Sequence, residues 1–141
     1  MSLHETPQPS RRALLSAAIL CLLVVTAVML LSLMTQTAPH PPLEVPPFAL
    51  APFLGASLGI GMAALTLVQQ SLRVGFGLAL LFAATGLVSF GPQKYLDPAI
   101  AKIWPAVITA QLAILVMVWL AIALLRQGQG GRTADGPAAQ G

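Results

Sequence analysis

The sequence predicts an all-α integral membrane protein with four transmembrane helices in a small bundle and a short interfacial helix between the third and fourth spans. The chain of 141 residues is 57% hydrophobic and only 8% charged, whereas roughly a quarter of the residues in a soluble domain are charged. Its apolar residues fall into four blocks, at about 13–34, 48–68, 74–90 and 105–125. Each block is about long enough to cross a hydrocarbon core of roughly 30 Å as a helix.

The first apolar block follows Arg11-Arg12 and a polar tail, residues 1–12, which we expect to be disordered. Such a start resembles a twin-arginine or a secretory signal as well as a membrane span. The block is longer than the core of about 7–15 residues in signal peptides, and Pro39 follows the best cleavage candidate. We therefore predict an uncleaved span that faces mostly lipid, where Leu23→Ala would matter little.

A proline-rich loop separates the first two spans. Residues 35–47 contain five prolines, which exclude a helix and favour an extended chain at one membrane face. His40 and Glu44 lie in this loop, but two candidate ligands without a third make a weak metal site. The sequence predicts a solvated loop, no metal and no other cofactor.

Small residues recur at every fourth position of the second and third spans. These ribbons, which we predict to be the helix-packing residues, are Gly55, Gly59 and Ala63 on one span and Gly75, Ala79 and Ala83 on the other. Small residues let helix backbones approach closely in lipid, where no hydrophobic force drives helices together. The turn Gln69–Arg73 is too short to cross back, so the two spans are antiparallel. We expect the ribbons to pack against each other within the bundle; self-association through them is the alternative.

The stretch between the third and fourth spans is the most patterned polar segment. Asp97-Pro98 has the form of a helix start, and Lys94 is spaced to form a loose ion pair with Asp97. We predict a surface helix over 94–104, acting either as a docking element or as a simple connector. The candidate partner contacts are Tyr95, Ile100, Ile103, Trp104 and, within the fourth span, Gln111. Gln111 is expected to bond to a neighbouring helix; a ligand or pore contact is the alternative.

One segment resembles a known family. Arg73, Gly77, the run 80–86 and the run Lys94–Pro98 are similar to the opening helix of DoxX-type four-helix membrane proteins. The resemblance covers only 73–98 and falls at the third span instead of the first, with a wider gap after Gly86. The sequence therefore does not assign the chain to that family.

The residues absent from the spans exclude several functions. No span interior contains Asp, Glu, Lys, Arg or His, which disfavours proton-coupled carriers and haem anchors. Cys21 lies in apolar surroundings, where a thiol stays protonated and inert. No catalytic set, phosphate loop or clustered basic face appears, so we expect neither an enzyme nor nucleic-acid binding.

Two function classes remain. The first is a non-catalytic accessory subunit or assembly factor of a larger membrane complex, with the lipid bilayer and other membrane subunits, or a second copy of the chain, as partners. The alternative is a small oligomeric carrier or channel without a membrane-embedded charge. The absence of Asn and the excess of Arg over Lys favour a bacterial source and hence the bacterial inner membrane.

The distribution of basic residues predicts the topology. With four spans, all five arginines fall on one side of the membrane and both lysines, Lys94 and Lys102, fall on the other. Because positive residues in short loops favour the cytoplasm, we predict both termini inside, with cytoplasmic tails at 1–12 and 126–141. The second tail is rich in Gly, Ala and Gln and is expected to be disordered.

Overall fold

The computed structural model of the chain describes residues 10–37 and 47–130, which form four long α-helices and one short 3₁₀ helix. The helices are α1 (Arg11–Thr35), α2 (Pro47–Gln70), α3 (Leu72–Phe90) and α4 (Ile100–Gly130), and the 3₁₀ helix is Pro92–Leu96. These two ranges contain no strand. The predictions for most of the first tail, the loop at 38–46 and the tail beyond residue 130 lie outside the described residues.

All four α-helices are long and apolar enough to cross a membrane. The shortest, α3, has 19 residues and is about 28 Å long at 1.5 Å per residue. The prediction of four helices able to span a membrane is thereby confirmed, and the described residues form no other regular structure than helix. Local chemistry fixes the ends of α1: the Ser10 hydroxyl accepts a hydrogen bond of 3.2 Å from the Ala13 amide, and Gln36 closes the helix in the left-handed region at φ 53°.

The helices form a bundle in which each one packs against two neighbours. Helix α1 contacts α2 and α4, α3 contacts the same two helices, and α1 and α3 touch only slightly across the diagonal. The start of α1 lies beside the end of α2, where Arg12 donates to the Gln69 carbonyl at 3.4 Å. We call this the arginine end; it also contains Arg73. The opposite end, which contains Lys94 and Lys102, is the lysine end.

Large apolar side chains fill the space between the helices. The largest fully buried ones are Phe82, Leu15, Ile19, Leu22, Leu54, Met117, Leu120, Val68 and Val107. Helix α1 contributes three of them, and Leu23 is also buried, with 6% of its surface exposed. The expectation that Leu23 faces lipid is therefore wrong, because α1 lies between two neighbours and cannot present this face outward.

The turn between α2 and α3 is extremely tight, because only Ser71 separates the two helices. The Ser71 amide donates to the Leu67 carbonyl at 2.7 Å, and the Gly75 amide donates to the Ser71 carbonyl at 3.0 Å. A side chain at Gly75 would collide with the backbone of Val68. Only glycine at this position lets the first turn of α3 approach the last turns of α2 so closely.

The contact face of α2 differs from the predicted ribbon. Gly55 and Gly59 are exposed, and a Cβ at either would meet nothing within 4 Å. At Gly61, by contrast, it would lie 2.7 Å from Leu23 Cδ2 and 2.8 Å from Phe82 Cε1. The expected packing of Gly55 and Gly59 inside the bundle is corrected: α2 is rotated so that the neighbouring small positions face inward.

The predicted surface helix over 94–104 is not a separate element. Its first residues belong to the 3₁₀ helix, and Ile100 already starts α4, which continues through Pro105. Pro105 lacks an amide for the carbonyl of Ala101, but it lies only in the second turn of α4, and Ala101 is exposed there. The proline therefore does not end the helix, and the fourth helix begins earlier than the predicted residue 105.

Candidate functional site

Side chains from neighbouring segments cap the end of α3. The Gln93 carboxamide donates to the carbonyls of Leu87 and Val88 at 3.2 and 2.8 Å. The Gln111 carboxamide of α4 donates to the Phe90 carbonyl at 3.0 Å. Since the last carbonyls of a helix have no partner within it, these bonds fix the 3₁₀ helix and α4 against α3.

Gln111 bonds to neighbouring segments on both sides, as the sequence led us to expect. Besides its bond to α3, its Oε1 accepts a hydrogen bond of 2.8 Å from the Tyr95 hydroxyl. The structure therefore brings together two of the candidate partner-contact residues. Tyr95 remains 49% exposed, whereas both polar groups of Gln111 are used within the chain.

The predicted ion pair and helix start both involve Asp97. Its Oδ2 lies 3.4 Å from Lys94 Nζ, and its Oδ1 accepts a hydrogen bond of 2.9 Å from the Ala99 amide. The Ile100 amide then donates to the Asp97 carbonyl at 2.9 Å. One aspartate thus orients the start of α4 and holds a lysine beside it.

The remaining candidate contacts are spread around the first turn of α4. Trp104 is 52% exposed, while Ile100 and Ile103 are half-buried. Ile103 lines a cavity between α1, α3 and α4. The apolar face expected from the sequence is therefore divided between the cavity wall and the outer surface.

This cavity, which we call the lysine-end cavity, has a volume of about 230 Å³. It lies between the second half of α1, the end of α3 and the start of α4. Its wall is mostly apolar: Val24, Val25, Val28, Met29, Phe90, Ala99, Ile103, Ala106 and Val107. Its polar lining residues are Ser32, Ser89, Lys94 and Lys102.

The polar groups in the lysine-end cavity are incompletely satisfied. Ser89 is only 8% exposed, and its hydroxyl forms no hydrogen bond with any described residue. Lys102 is exposed and has no ion-pair partner in the described part of the chain. Ser57, which is also buried, is satisfied within its own helix, because its hydroxyl donates to the Phe53 carbonyl at 2.8 Å. Ser89 is therefore a buried hydroxyl without a partner in the wall of the cavity.

The other predicted packing residues lie on the inner side of the bundle to different degrees. Gly75, Ala79 and Ala83 of α3 are buried, and Ala63 of α2 is half-buried.

At the arginine end, the Gln69 carboxamide donates to the Ser16 hydroxyl at 3.0 Å. That end is held together by polar bonds between α1 and α2.

Sequence reasoning did not identify the lysine-end cavity. Its residues come from three helices, and Val24, Val28 and Ala106 look like any other apolar span positions. The available signal was Ser89, a hydroxyl one residue before the end of the third span. Without knowledge of helix rotation, that signal cannot be distinguished from a serine bonded to its own helix.

Comparisons with known proteins identify no relative. No family model matches the chain, and no curated protein or solved structure is significantly similar to it. Among the described residues, no group of three or more His, Cys, Asp or Glu side chains lies close enough to hold a metal ion.

Proposed function

We propose that this chain is a non-catalytic accessory subunit or assembly factor of a larger complex in the bacterial inner membrane, with both termini in the cytoplasm. Helix α2 offers its outer face to a helix of another membrane subunit. The arginines at one end of the bundle and the lysines at the other support this orientation.

The outward ribbon on α2 is the observation that carries the proposal. Gly55 and Gly59 lie one helical turn apart on an exposed surface with open space in front of both. In the 18-residue apolar stretch of α2 only 22% is buried, against 33–44% of the corresponding stretches in the other three helices. Small residues at this spacing allow close approach of a second helix in lipid, and the bundle itself does not use them.

The packing of the bundle favours this function over the alternative of a small carrier or channel. Leu22, Phe82 and Met117 are each fully buried between the helices, so large side chains occupy the interior of a single bundle. A transport path would have to form between copies of the chain. The alternative therefore requires a closed homo-oligomer.

Native mass measurement of the protein extracted in mild detergent tests the proposal. We expect a complex with fixed stoichiometry that contains a second, different membrane protein. Gly59→Leu fills the space in front of the ribbon and should release that protein. Gly77→Leu is the matched control, because Gly77 is an exposed glycine of α3 with nothing within 4 Å of its Cβ position.

Neither leucine variant should unfold at a lower temperature than the wild type, since neither side chain enters the bundle. Retention of the partner by Gly59→Leu, or its equal loss from Gly77→Leu, contradicts the role of the ribbon. A closed homo-oligomer would instead support the carrier or channel. A chain that is always extracted alone would contradict both functions.

A further inference from the structure

The lining of the lysine-end cavity changes from apolar to polar toward the end of the bundle. Along α1 the lining residues run from Val24 to Ser32 toward the end of the helix. Along α4 they run from Val107 back to Lys102 near its start. A molecule that fits this gradient has an apolar chain directed toward the middle of the membrane and a polar head at its edge.

A buried hydroxyl in the cavity lacks a partner. Ser89 is more than nine-tenths buried, lines the cavity, and forms no hydrogen bond with the described residues. Leaving a polar group unpaired in apolar surroundings is costly. Ser57, which is also buried in a helix, bonds to the carbonyl four residues earlier, whereas Ser89 does not. An oxygen atom of a bound molecule would supply the missing partner.

The rim of the cavity has an excess of positive charge. Lys94 forms an ion pair with Asp97, with 3.4 Å between Nζ and Oδ2. Lys102 has no ion-pair partner among the described residues. A cation near the bilayer surface attracts anionic lipid headgroups. The head of the bound molecule is therefore expected to be anionic.

The cavity is open toward the surrounding lipid. Val24 and Val28 both line it and are each 57% exposed, so its wall continues onto the outer surface of α1. Its volume of about 230 Å³ is below the range of roughly 300–1,000 Å³ that holds a drug-sized ligand. It can therefore take part of one acyl chain, with the remainder of the lipid in the bilayer.

We propose that the lysine-end cavity binds an anionic phospholipid from the bilayer. One acyl chain occupies the apolar part between α1 and α4, and the phosphate contacts Lys102 and Lys94. The Ser89 hydroxyl donates to an ester oxygen. This site lies apart from the α2 ribbon and does not depend on the proposed partner subunit.

Titration of the delipidated full-length protein in neutral detergent, followed by native mass spectrometry, tests the site. The probes are dioleoyl phosphatidylglycerol and dioleoyl phosphatidylcholine, which differ in head charge and share their chains. We expect tighter binding of phosphatidylglycerol. Lys102→Gln should weaken that binding about fivefold, as expected for one cation at a membrane surface, and leave phosphatidylcholine unchanged. Ser89→Ala should weaken both lipids by about two- to tenfold through one lost hydrogen bond.

Arg73→Gln is the matched control, because it removes the same charge at the opposite end of the bundle. It should leave binding of both lipids unchanged. Ala106→Phe fills the cavity and should abolish binding of both lipids; if it fails to fold, Ser89→Ala carries the test of the buried part. Equal affinity for the two lipids, or equal losses from Arg73→Gln and Lys102→Gln, would overturn the proposal.

Discussion

Two glycines of α2, two residues apart, provide a sensitive test of the rotation of this helix. Gly61→Ala places a methyl group 2.7 Å from Leu23 Cδ2 and 2.8 Å from Phe82 Cε1. The Phe82 ring is 0% exposed and cannot move away freely. Gly59→Ala places the same group in open space. The two variants therefore differ in packing and share the same change in backbone propensity.

The expected free energies follow from these environments. Alanine in place of glycine inside a helix stabilises by roughly 0.5–1 kcal/mol, and overfilling a packed core costs about 1–3 kcal/mol. Gly59→Ala should therefore raise stability by roughly 0.5–1 kcal/mol. Gly61→Ala should change it by between near zero and a loss of roughly 2.5 kcal/mol. The gap between the two variants, about 1–3 kcal/mol, isolates the packing contribution.

Reversible unfolding of the monomeric protein by sodium dodecyl sulfate in mixed micelles measures both variants against the wild type. Gly61→Ala should unfold at a lower sodium dodecyl sulfate fraction than Gly59→Ala. Coincident transitions, or a larger loss from Gly59→Ala, would mean that α2 presents its other face to the bundle.

Three further variants can be measured in the same assay. Gly75→Ala should lose more stability than Gly61→Ala, because its methyl group meets the rigid backbone of Val68; a loss no larger than that of Gly61→Ala would contradict the tight turn. Gln111→Leu should cost about 1–2 kcal/mol by leaving the Phe90 carbonyl unpaired, and an unchanged transition would refute that bond. Leu23→Ala should cost about 2–5 kcal/mol, as for other large-to-small changes in cores, and a negligible effect would restore a lipid-facing position.

The sequence was sufficient to predict the four helices, because each apolar block is about long enough to cross a bilayer core, lacks charged residues, and is bounded by polar or proline-rich breaks. It also indicated the tight α2–α3 turn, the Lys94–Asp97 pair, and a bond from Gln111 to another segment. These features depend on local spacing or on a single polar group that must find a partner in lipid.

The rotation of the helices could not be predicted in the same way. Helix α2 is apolar on all sides, so the four-residue spacing of Gly55, Gly59 and Ala63 was taken as the contact face although Ser57 and Gly61 have the same spacing. The structure shows that Ser57 and Gly61 face the bundle, where Leu23 and Phe82 occupy the space in front of Gly61. Such a choice depends on side chains from other helices, and the pattern within α2 does not contain it.

The start of the fourth helix was misplaced for a related reason. Pro105 suggested a boundary between a surface helix and a span, because proline removes one helical hydrogen bond. In α4 the missing hydrogen bond is the one to the Ala101 carbonyl. Ala101 lies near the helix start and is exposed, so the loss does not end the helix. Asp97 instead marks the start of α4, because its carboxylate accepts a hydrogen bond from the Ala99 amide.

Cysteine labelling in intact cells tests the central claim, a four-span bundle with its arginine and lysine ends on opposite sides of the membrane. In a Cys21→Ala background, single cysteines replace Gln70 at the arginine end and Pro98 at the lysine end; both positions are exposed. A membrane-impermeant maleimide should label Pro98→Cys in intact cells and Gln70→Cys only after permeabilisation. Labelling of both positions from the same side would contradict the four-span arrangement.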